Sequence, residues 1–236
     1  MILLLLLACL LLADCKRHHE AIFREPFSIS GGLPCDSALI DSIMIYKRTV
    51  DSLMGEVIGR ALTPIKKGKP SAPLNEIICD ALLNEIRKQG YTAHISIMNY
   101  GGIRNNISRG EITTGTVYEV YPFDNRIALV MLPKSLLGEL GRLILKKRGI
   151  PVAGFSVSLD TLRHSFYFNF PFDTSRIDTI IIATSDYLIN GSDDFEFFKK
   201  CRTIVTDILV RNALINHIKE RKEIEGVDER RCRFIE

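Results

Sequence analysis

Two segments of this sequence place polar and aromatic side chains beside glycines, directly after apolar runs that are typical of buried strands. The first segment is MNYGGIRNN, residues 98–106, in which a glycine pair lies between Asn99 and Arg104. Glycine permits positive φ and close approach of the backbone to a ligand, asparagine donates and accepts hydrogen bonds, and the guanidinium fork suits a carboxylate or phosphate. The pattern indicates either a loop that binds an anion or a tight turn with a surface arginine.

The second segment, DYLINGSDDF, follows the most apolar stretch of the chain, DTIIIATS. Tyr187 offers an aromatic platform, and Asp193, which follows Gly191, offers a carboxylate that accepts hydrogen bonds from hydroxyl groups. A capped helix start has the same residue pattern. Because both segments follow strands, they predict a binding site built where the strands of a sheet end.

The elements that hold these segments are predicted from apolar periodicity and turn residues. Predicted helices cover residues 36 to about 54, 74 to about 88, the segment TGTVYEVYPF, Pro133 to about Arg148, and about Val205 to Lys222. Predicted strands are EVIGRAL, TAHISIM, IALVML, GFSVSLD, HSFYFNF, DTIIIATS and a terminal strand near RCRF. Helices mixed with several neighbouring strands predict an α+β fold with mixed sheets covered by helices, rather than a regular βαβ repeat.

Composition and charge limit the class of protein. With 236 residues, of which 46% are hydrophobic and 25% charged, the chain is long enough for one medium globular domain with a sizeable core. The net charge of +3 is too small to indicate a nucleic-acid partner, and basic and acidic residues are interspersed, including around RRCRF. We therefore expect no binding of nucleic acid.

The first fifteen residues, MILLLLLACLLLADC, are almost entirely apolar. The run is shorter than the roughly 20 residues that a membrane-spanning helix needs, so it predicts an export signal over residues 1–15, a tether over 16–35 and a domain over 36–236. Its end resembles the lipobox of bacterial lipoproteins, in which the cysteine, here Cys15, is lipidated. Two features depart from that pattern: Asp14 stands where a small residue is usual, and no Lys or Arg precedes the apolar run.

Two alternatives to this interpretation remain open. Lipidation at Cys9 would leave LLLAD exposed beyond the lipid, so Cys15 is preferred, and a buried N-terminal helix is the alternative to an export signal. We expect an exported protein of the bacterial periplasm or cell envelope that is attached to the membrane through a lipid anchor.

The other cysteines and the histidines do not form a metal-ligand pattern. The cysteines lie far apart, without a CxxC motif, at Cys35, Cys79, Cys201 and Cys232. In an oxidising compartment one disulfide can form among them, and buried, unreactive thiols are the other interpretation. Three isolated histidines fall in predicted strands or a helix, as is typical of core or surface histidines: His94, His164 and His217. We expect no metal site in this chain.

Three motifs occur in order along the chain: N-x-G-G-I-R from Asn99, G-E-I-T-x-G-x-V-Y-E-V-x-P-F from Gly110, and T-S-D-Y-L-I-N-G-S-D-D-F from Thr184. In order and spacing they resemble the C-terminal domain of the 5′-nucleotidase and UDP-sugar hydrolase family. The resemblance runs from about residue 36 to residue 236, with weaker support from L-N-E-I-I-C-D-A, residues 74–81. It implies the fold of that domain.

The resemblance also implies a site. In the family, this domain grips the nucleoside part of the substrate: two aromatic rings sandwich the base, a carboxylate binds ribose hydroxyls, and Asn and Arg from the glycine turn reach the sugar-phosphate end. By motif, it assigns Phe123 and Tyr187 to the aromatic sandwich. It assigns Asp193 to the ribose hydroxyls, and Asn99 and Arg104 to the phosphate end.

The resemblance further assigns Gly154 to a turn at which the chain passes close to the base. Some positions depart from the family pattern. GKPSA stands where the family has an arginine and an E-S pair, Glu76 stands where Asn is usual, and Gly191-Ser192-Asp193-Asp194 replaces GGDG. Nearby lysines replace the missing arginine only as flexible point charges: Lys66, Lys67 or Lys69. Binding of base and ribose is therefore better supported than binding of phosphate.

Family members hydrolyse phosphate esters at a two-metal site in an N-terminal metallophosphatase domain, whose D-x-H and G-N-H-[ED] motifs this sequence lacks. The sequence also shows no Ser-His-Asp order or nucleophile elbow. The first function we consider is the substrate-recognition part of a split 5′-nucleotidase in nucleotide catabolism. Divalent metal ions would then be held by a separate metallophosphatase polypeptide, and this chain would need no cofactor.

Two other functions remain open. One is a nucleotide- or nucleoside-binding lipoprotein that serves scavenging or sensing without hydrolysis. The other is a structural remnant that binds neither, and the intact aromatic and acidic positions count against it.

Overall fold

The computed structural model describes residues 36–235 of the chain. The predicted export signal with its lipidation point Cys15, and the predicted tether, lie outside the described residues. The chain divides into two units between Ile45 and Tyr46. The described part of the first unit, residues 36–45, consists mainly of the beginning of helix α1, in which no residue is buried.

The described residues form six α-helices and eleven β-strands. The helices are α1 (Ser37–Met54), α2 (Pro73–Lys88), α3 (Thr114–Val120), α4 (Leu137–Lys146), α5 (Asp186–Ile189) and α6 (Val210–Arg221). The strands are β1 (Val57–Ala61), β2 (Ile95–Ile97), β3 (Gly110–Thr113), β4 (Arg126–Pro133), β5 (Val152–Ala153), β6 (Ser156–Asp160), β7 (Ser165–Asn169), β8 (Thr179–Ser185), β9 (Arg202–Leu209), β10 (Glu223–Ile224) and β11 (Cys232–Ile235). Within residues 36–235, none of the helices combines the length and the apolar character needed to cross a bilayer.

The strands form three mixed sheets, so the predicted α+β fold is confirmed. The largest sheet has the order β5-β2-β8-β4-β9, in which only β2 and β8 run parallel. The two three-stranded sheets have the orders β10-β1-β3 and β11-β6-β7, and each contains one parallel and one antiparallel pair.

The five-stranded sheet carries apolar side chains on both faces because neighbouring residues of a strand point to opposite sides. In β4, Ile127 and Leu129 join one core cluster with α2 and α6, whereas Val130 and Leu132 join a second cluster with α4 and β6. Covering on both faces explains why its central strands are nearly continuous apolar runs.

Helix α2 shows how the sequence specifies one of these layers. Pro73 lies in its first turn, where a missing backbone N–H costs no helical hydrogen bond. Leu74, Ile78 and Leu82 recur at intervals of four residues and are fully buried. Gly90, with φ of +82°, ends the segment as its sequence predicts.

One predicted helix begins later than expected. Arg202–Leu209 form β9, which pairs with β4 along the sheet edge, and α6 begins only at Val210. The prediction of a helix from about Val205 is therefore wrong for its first residues. Ile204, Val205 and Thr206 are β-branched and favour an extended backbone, and apolar spacing alone does not show this.

The cysteines of the described chain are free thiols: Cys79, Cys201 and Cys232. Burial raises the pKa of the Cys79 thiol above its ordinary value, and burial raises the pKa of Cys232 to about 11. Because the thiolate is the reactive form, these two cysteines are poor nucleophiles at neutral pH.

Candidate functional site

A cavity of about 380 Å³ lies at the edge of the five-stranded sheet where β2 and β8 end and β4 begins. Because β2 and β8 run parallel and β4 runs antiparallel to β8, the loops at these three strand ends meet. The cavity is lined by Asn99, Gly101, Gly102, Arg104, Tyr121, Phe123, Asn125, Tyr187 and Asp193. Five of the six residues predicted to bind substrate are among them, and the two predicted segments meet in one place.

The glycine turn, Tyr100–Gly102, forms the floor next to β2. A Cβ atom on Gly102 would lie 2.9 Å from Asn99 Oδ1 and 3.1 Å from a ring carbon of Tyr121. A side chain at this position would have to displace Asn99 or Tyr121, both of which line the cavity. Neither Gly101 nor Gly102 adopts the positive φ that glycine permits, so the close approach of the backbone is what the turn uses.

Asn99 and Asp193 join the two predicted segments directly. The Asn99 amide Nδ2 donates to Asp193 Oδ2 at 2.7 Å. The other carboxylate oxygen of Asp193 lies 3.7 Å from the ammonium group of Lys147. The carboxylate is therefore oriented from two sides and still has lone pairs for a ligand hydroxyl.

The backbone around Asp193 is left-handed, with φ of +56° at Asp193, +69° at Asp194 and +84° at Gly191. Such a conformation costs roughly 1–2 kcal/mol for a residue other than glycine, and less for aspartate than for most. Ion pairs hold Asp194 in place at 3.0 Å from Lys147 and 3.1 Å from Lys146. Hydrogen bonds from these lysines keep the pKa of the Asp194 carboxyl below its ordinary value.

Phe123 forms one aromatic wall of the cavity, in the loop between α3 and β4. Its ring packs edge-on against Tyr121, with centroids 5.6 Å apart. Buried Arg211 at the start of α6 donates to the Phe123 carbonyl at 3.2 Å and pairs with Asp124. The guanidinium group of Arg211 also lies 3.9 Å from the centre of the Tyr118 ring. These contacts fix the backbone that presents Phe123.

Tyr187 forms the other aromatic wall, from helix α5, and its side chain is 44% exposed. The two walls are linked because Asn125 Nδ2 donates to Asp186 Oδ1 at 3.0 Å, and the Tyr121 hydroxyl is 3.3 Å from Asn125 Oδ1. Burial raises the pKa of Tyr121, so its hydroxyl stays protonated and able to donate. The sequence analysis did not predict Tyr121 or Asn125 as part of the site. The one available signal for Tyr121 was its position next to Phe123 in the YPF segment.

Arg104 lies at the aromatic wall. Its guanidinium carbon is 5.0 Å from the centre of the Phe123 ring, within cation–π distance, and its side chain is exposed. Its backbone N–H donates to the Val120 carbonyl, which ties the end of the glycine turn to the end of α3.

Gly154 does not line this cavity. Its φ is +81°, and a Cβ atom there would lie 2.7 Å from the His94 carbonyl oxygen and 3.0 Å from Ile95 Cα. Glycine is therefore required so that the chain can pass close to the start of β2, and the expected contact with a base does not follow from this geometry.

The lysines that were expected to replace a missing arginine lie on the other side of the glycine turn. The ammonium groups of Lys67 and Lys69 are 5.1 Å and 5.3 Å from the centre of the Tyr100 ring. Lys66 takes no part in the cavity. The histidines are separate as well: His94 Nδ1 accepts from the Ile181 N–H at 2.9 Å, and His217 is buried in α6.

Residues 54–133 match the family model described as 5′-nucleotidase, C-terminal domain. A cell wall protein of Listeria monocytogenes is 25% identical over 199 residues, which are 75% of this chain and 25% of that protein. An endonuclease of Bacillus subtilis is 26% identical over 124 residues, which are 51% of this chain and 9% of that protein. The chain thus spans a quarter or less of the length of these relatives.

Solved structures extend the likeness to most of the described fold. A 5′-nucleotidase precursor of Thermus thermophilus superposes with a TM-score of 0.70 and 25% identity, covering 86% of this chain and 44% of that one. The NAD nucleotidase of Haemophilus influenzae shares the fold, with a TM-score of 0.65 and 17% identity over 84% of this chain and 41% of that one. The chain is therefore similar to the C-terminal domain of 5′-nucleotidases in sequence over residues 54–133 and in fold over most of its length.

Proposed function

We propose that this chain binds the nucleoside part of a nucleotide in the 380 Å³ cavity and serves as the substrate-recognition part of a 5′-nucleotidase. One observation carries the proposal. Two aromatic rings, a carboxylate, an amide and a guanidinium group, which come from separate segments of the sequence, line a single cavity. The family match and the relatives named as nucleotidases support the same substrate class.

Phe123 and Tyr187 bind the base. Stacking on an aromatic side chain contributes about 1–3 kcal/mol per base. The hydrogen bond between Asn125 and Asp186 sets the spacing of the two rings because it joins the segments that carry them. Binding of a base between them is therefore the main source of affinity.

Asp193 binds the ribose hydroxyls. A carboxylate accepts hydrogen bonds from hydroxyl groups, and charge-assisted bonds of this kind are about twice as strong as neutral ones. Asn99 holds the carboxylate at the cavity wall and keeps an amide oxygen for the ligand. Arg104 is left as the cation at the cavity wall that can meet a 5′-phosphate group.

Hydrolysis requires a metal centre that residues 36–235 do not provide. No group of three or more His, Cys, Asp or Glu side chains in this part of the chain is arranged to hold a metal ion. We place the divalent metal ions of the reaction in a separate metallophosphatase polypeptide that completes the enzyme. The role of this chain is to bind and orient the nucleotide.

The protein acts in the cell envelope, attached to the membrane through a lipid on Cys15. The apolar start of the sequence and a relative named as a cell wall protein support export. We expect Cys15→Ser to move the protein from the membrane fraction to the soluble fraction of the envelope and to abolish labelling with a fatty-acid probe. Unchanged fractionation and labelling of the variant would contradict lipidation at this residue.

Calorimetry with adenosine, AMP and ribose 5-phosphate tests the proposed function. We expect adenosine and AMP to bind with similar affinity and ribose 5-phosphate to bind at least about tenfold more weakly, because stacking dominates. The same titration with a co-expressed metallophosphatase shows whether closure of the site adds affinity. If neither adenosine nor AMP binds in either sample, the proposed function is wrong.

A further inference from the structure

A second cavity, of about 170 Å³, adjoins the nucleoside cavity. The two cavities share Asn99, Gly101 and Asp193 as a common wall. On its far side the second cavity is lined by Lys69, Tyr100, Lys147, Gly149, Ile150 and Phe195. The residue that we assign to the ribose therefore separates an aromatic cavity from one that contains two lysines.

The walls of the second cavity are built by close backbone contacts. A Cβ atom on Gly149, whose φ is +97°, would lie 2.4 Å from the Pro70 carbonyl oxygen. The ammonium group of Lys69 donates to the backbone carbonyl of Lys147. The turn after α4 and the segment before α2 are thus packed together, and they hold the two lysines as neighbours.

The two lysines of this cavity differ in how their charges are paired. Lys147 pairs with Asp193 at 3.7 Å and with Asp194 at 3.0 Å. Lys69 has a backbone carbonyl and the Tyr100 ring as partners, and no carboxylate of the described residues lies within ion-pair distance of it. Partial burial of the Lys69 ammonium group, and then the charges of Lys147 and Arg148, lower its pKa. An anion beside Lys69 would relieve this repulsion.

We propose that the second cavity binds a phosphate group on the 2′ or 3′ oxygen of the ribose, with Lys69 and Lys147 as its ligands. This inference rests on the proposed function, because it requires a nucleoside whose ribose hydroxyls face Asp193. In that orientation the 2′ and 3′ oxygens are the ligand atoms nearest to the shared wall. The 5′ position belongs on the side of Arg104, which lines only the first cavity.

The lysines have the chemistry that such a group needs. An ammonium group binds phosphate as a compact point charge with three donors, and both Lys69 and the Tyr100 ring beneath its ammonium group line this cavity. The ligand class is a ribonucleotide that carries its phosphate, or a second phosphate, on the ribose beside the base. Adenosine 3′-monophosphate is the simplest probe of this class.

The test compares the dissociation constants of adenosine and adenosine 3′-monophosphate, measured by calorimetry on the full chain. We expect the 3′-phosphate to bind about tenfold more tightly than adenosine, the effect of one charge-assisted contact. Lys69→Met should bring the ratio of the two constants close to one. The matched control is Lys219→Met, which removes an exposed lysine of α6 that pairs with Glu56. This variant should keep the wild-type ratio.

Two further measurements identify the source of the effect. Inorganic phosphate should compete with adenosine 3′-monophosphate and not with adenosine. Adenosine 5′-monophosphate should bind with an affinity that Lys69→Met does not change. A ratio near one in the wild-type chain, or a preference for the 3′-phosphate that survives in both Lys69→Met and Lys147→Met, would overturn this inference while adenosine binding still supports the proposed function. If the wild-type chain binds neither adenosine nor adenosine 3′-monophosphate, that result instead contradicts the proposed function.

Discussion

Asp193 combines a side chain that lines the cavity with a backbone conformation that few residues tolerate. The backbone φ is +56° at Asp193 and +69° at Asp194. The GGDG pattern of the family has glycine at the position of Asp194. Ion pairs with Lys146 and Lys147 hold the Asp194 side chain. The same lysines hold the loop so that Asp193 faces the cavity.

Asp193→Asn removes the charge and keeps the shape, and asparagine tolerates the left-handed backbone. We expect adenosine to bind about tenfold more weakly, because a charge-assisted acceptor is lost, and 2′-deoxyadenosine to be affected less. Calorimetry with both ligands measures the difference. Asp207→Asn, at an exposed aspartate of β9, is the control. Equal losses for both nucleosides would show that Asp193 does not contact the ribose hydroxyl that they do not share.

At the scale of elements, the site depends on how α6 holds the loop that carries Phe123. Arg211 is 5% exposed, and its Nε atom has no hydrogen-bond partner among the described residues. Its two terminal nitrogens contact the Phe123 carbonyl and the Asp124 carboxylate. In our proposal, Arg211 is thus a positioning residue that acts on the base through the backbone of Phe123.

We expect Arg211→Met to weaken adenosine binding several-fold and to lower the free energy of unfolding by about 1–3 kcal/mol, since the Phe123 carbonyl and Asp124 lose a donor. Asp124→Asn provides a milder comparison, because it leaves the bond to the Phe123 carbonyl intact and should keep most of the affinity. Calorimetry and urea unfolding of both variants measure the two effects. If Arg211→Met loses stability and binds adenosine like the wild type, the positioning role is refuted.

The elements differ in how well the sequence predicts them. Helix α2 was predictable because its apolar spacing, Pro73 at its start and Gly90 after its end all indicate the same helix. Strand β8 was predictable because it lies in the most apolar stretch of the chain. The start of α6 was not, because pairing of β9 with β4 is a long-range contact that local spacing does not contain. The meeting of Asn99 with Asp193 likewise depends on the parallel pairing of β2 and β8, which apolar periodicity does not predict. The resemblance of the motifs assigned both residues to one site without that pairing.

At the scale of the whole molecule, burial of His217 couples stability to pH. Burial lowers the pKa of His217 below its ordinary value of 6.5. Among its charged neighbours, Arg221 and Lys88 lower the pKa further, whereas Asp80 and Glu220 oppose the shift. The unfolded chain therefore takes up this proton at higher pH than the native chain does, and stability falls as pH decreases below 6.5 towards the lowered value.

We expect the urea midpoint to be lower at pH 5.5 than at pH 7.5, and the difference to shrink in His217→Gln. It should not vanish, because burial also lowers the pKa of His94 and shifts stability in the same direction. His164→Gln replaces an exposed histidine and is the control. An identical dependence on pH in the wild type and His217→Gln would show that this histidine is not the titrating group.

The architecture places the candidate site at one edge of a sheet that is covered on both faces. Core clusters pack on both faces of the sheet, and the loops that follow β2 and β8 and precede β4 carry the side chains that line the cavity. Such a domain can bind a nucleotide without carrying the metal centre that hydrolyses it. In our proposal, hydrolysis depends on the arrival of a metallophosphatase at the open side of this cavity.

The most direct measurement is the affinity of adenosine for the wild-type chain and for Phe123→Ala and Tyr187→Ala, determined by calorimetry. We expect each truncation to weaken binding about 10- to 100-fold, because each ring contributes about 1–3 kcal/mol of stacking. Tyr167→Ala, at an exposed tyrosine of β7, should bind like the wild type. Folded Phe123→Ala and Tyr187→Ala variants that bind adenosine with unchanged affinity would contradict a base-binding site between these two rings.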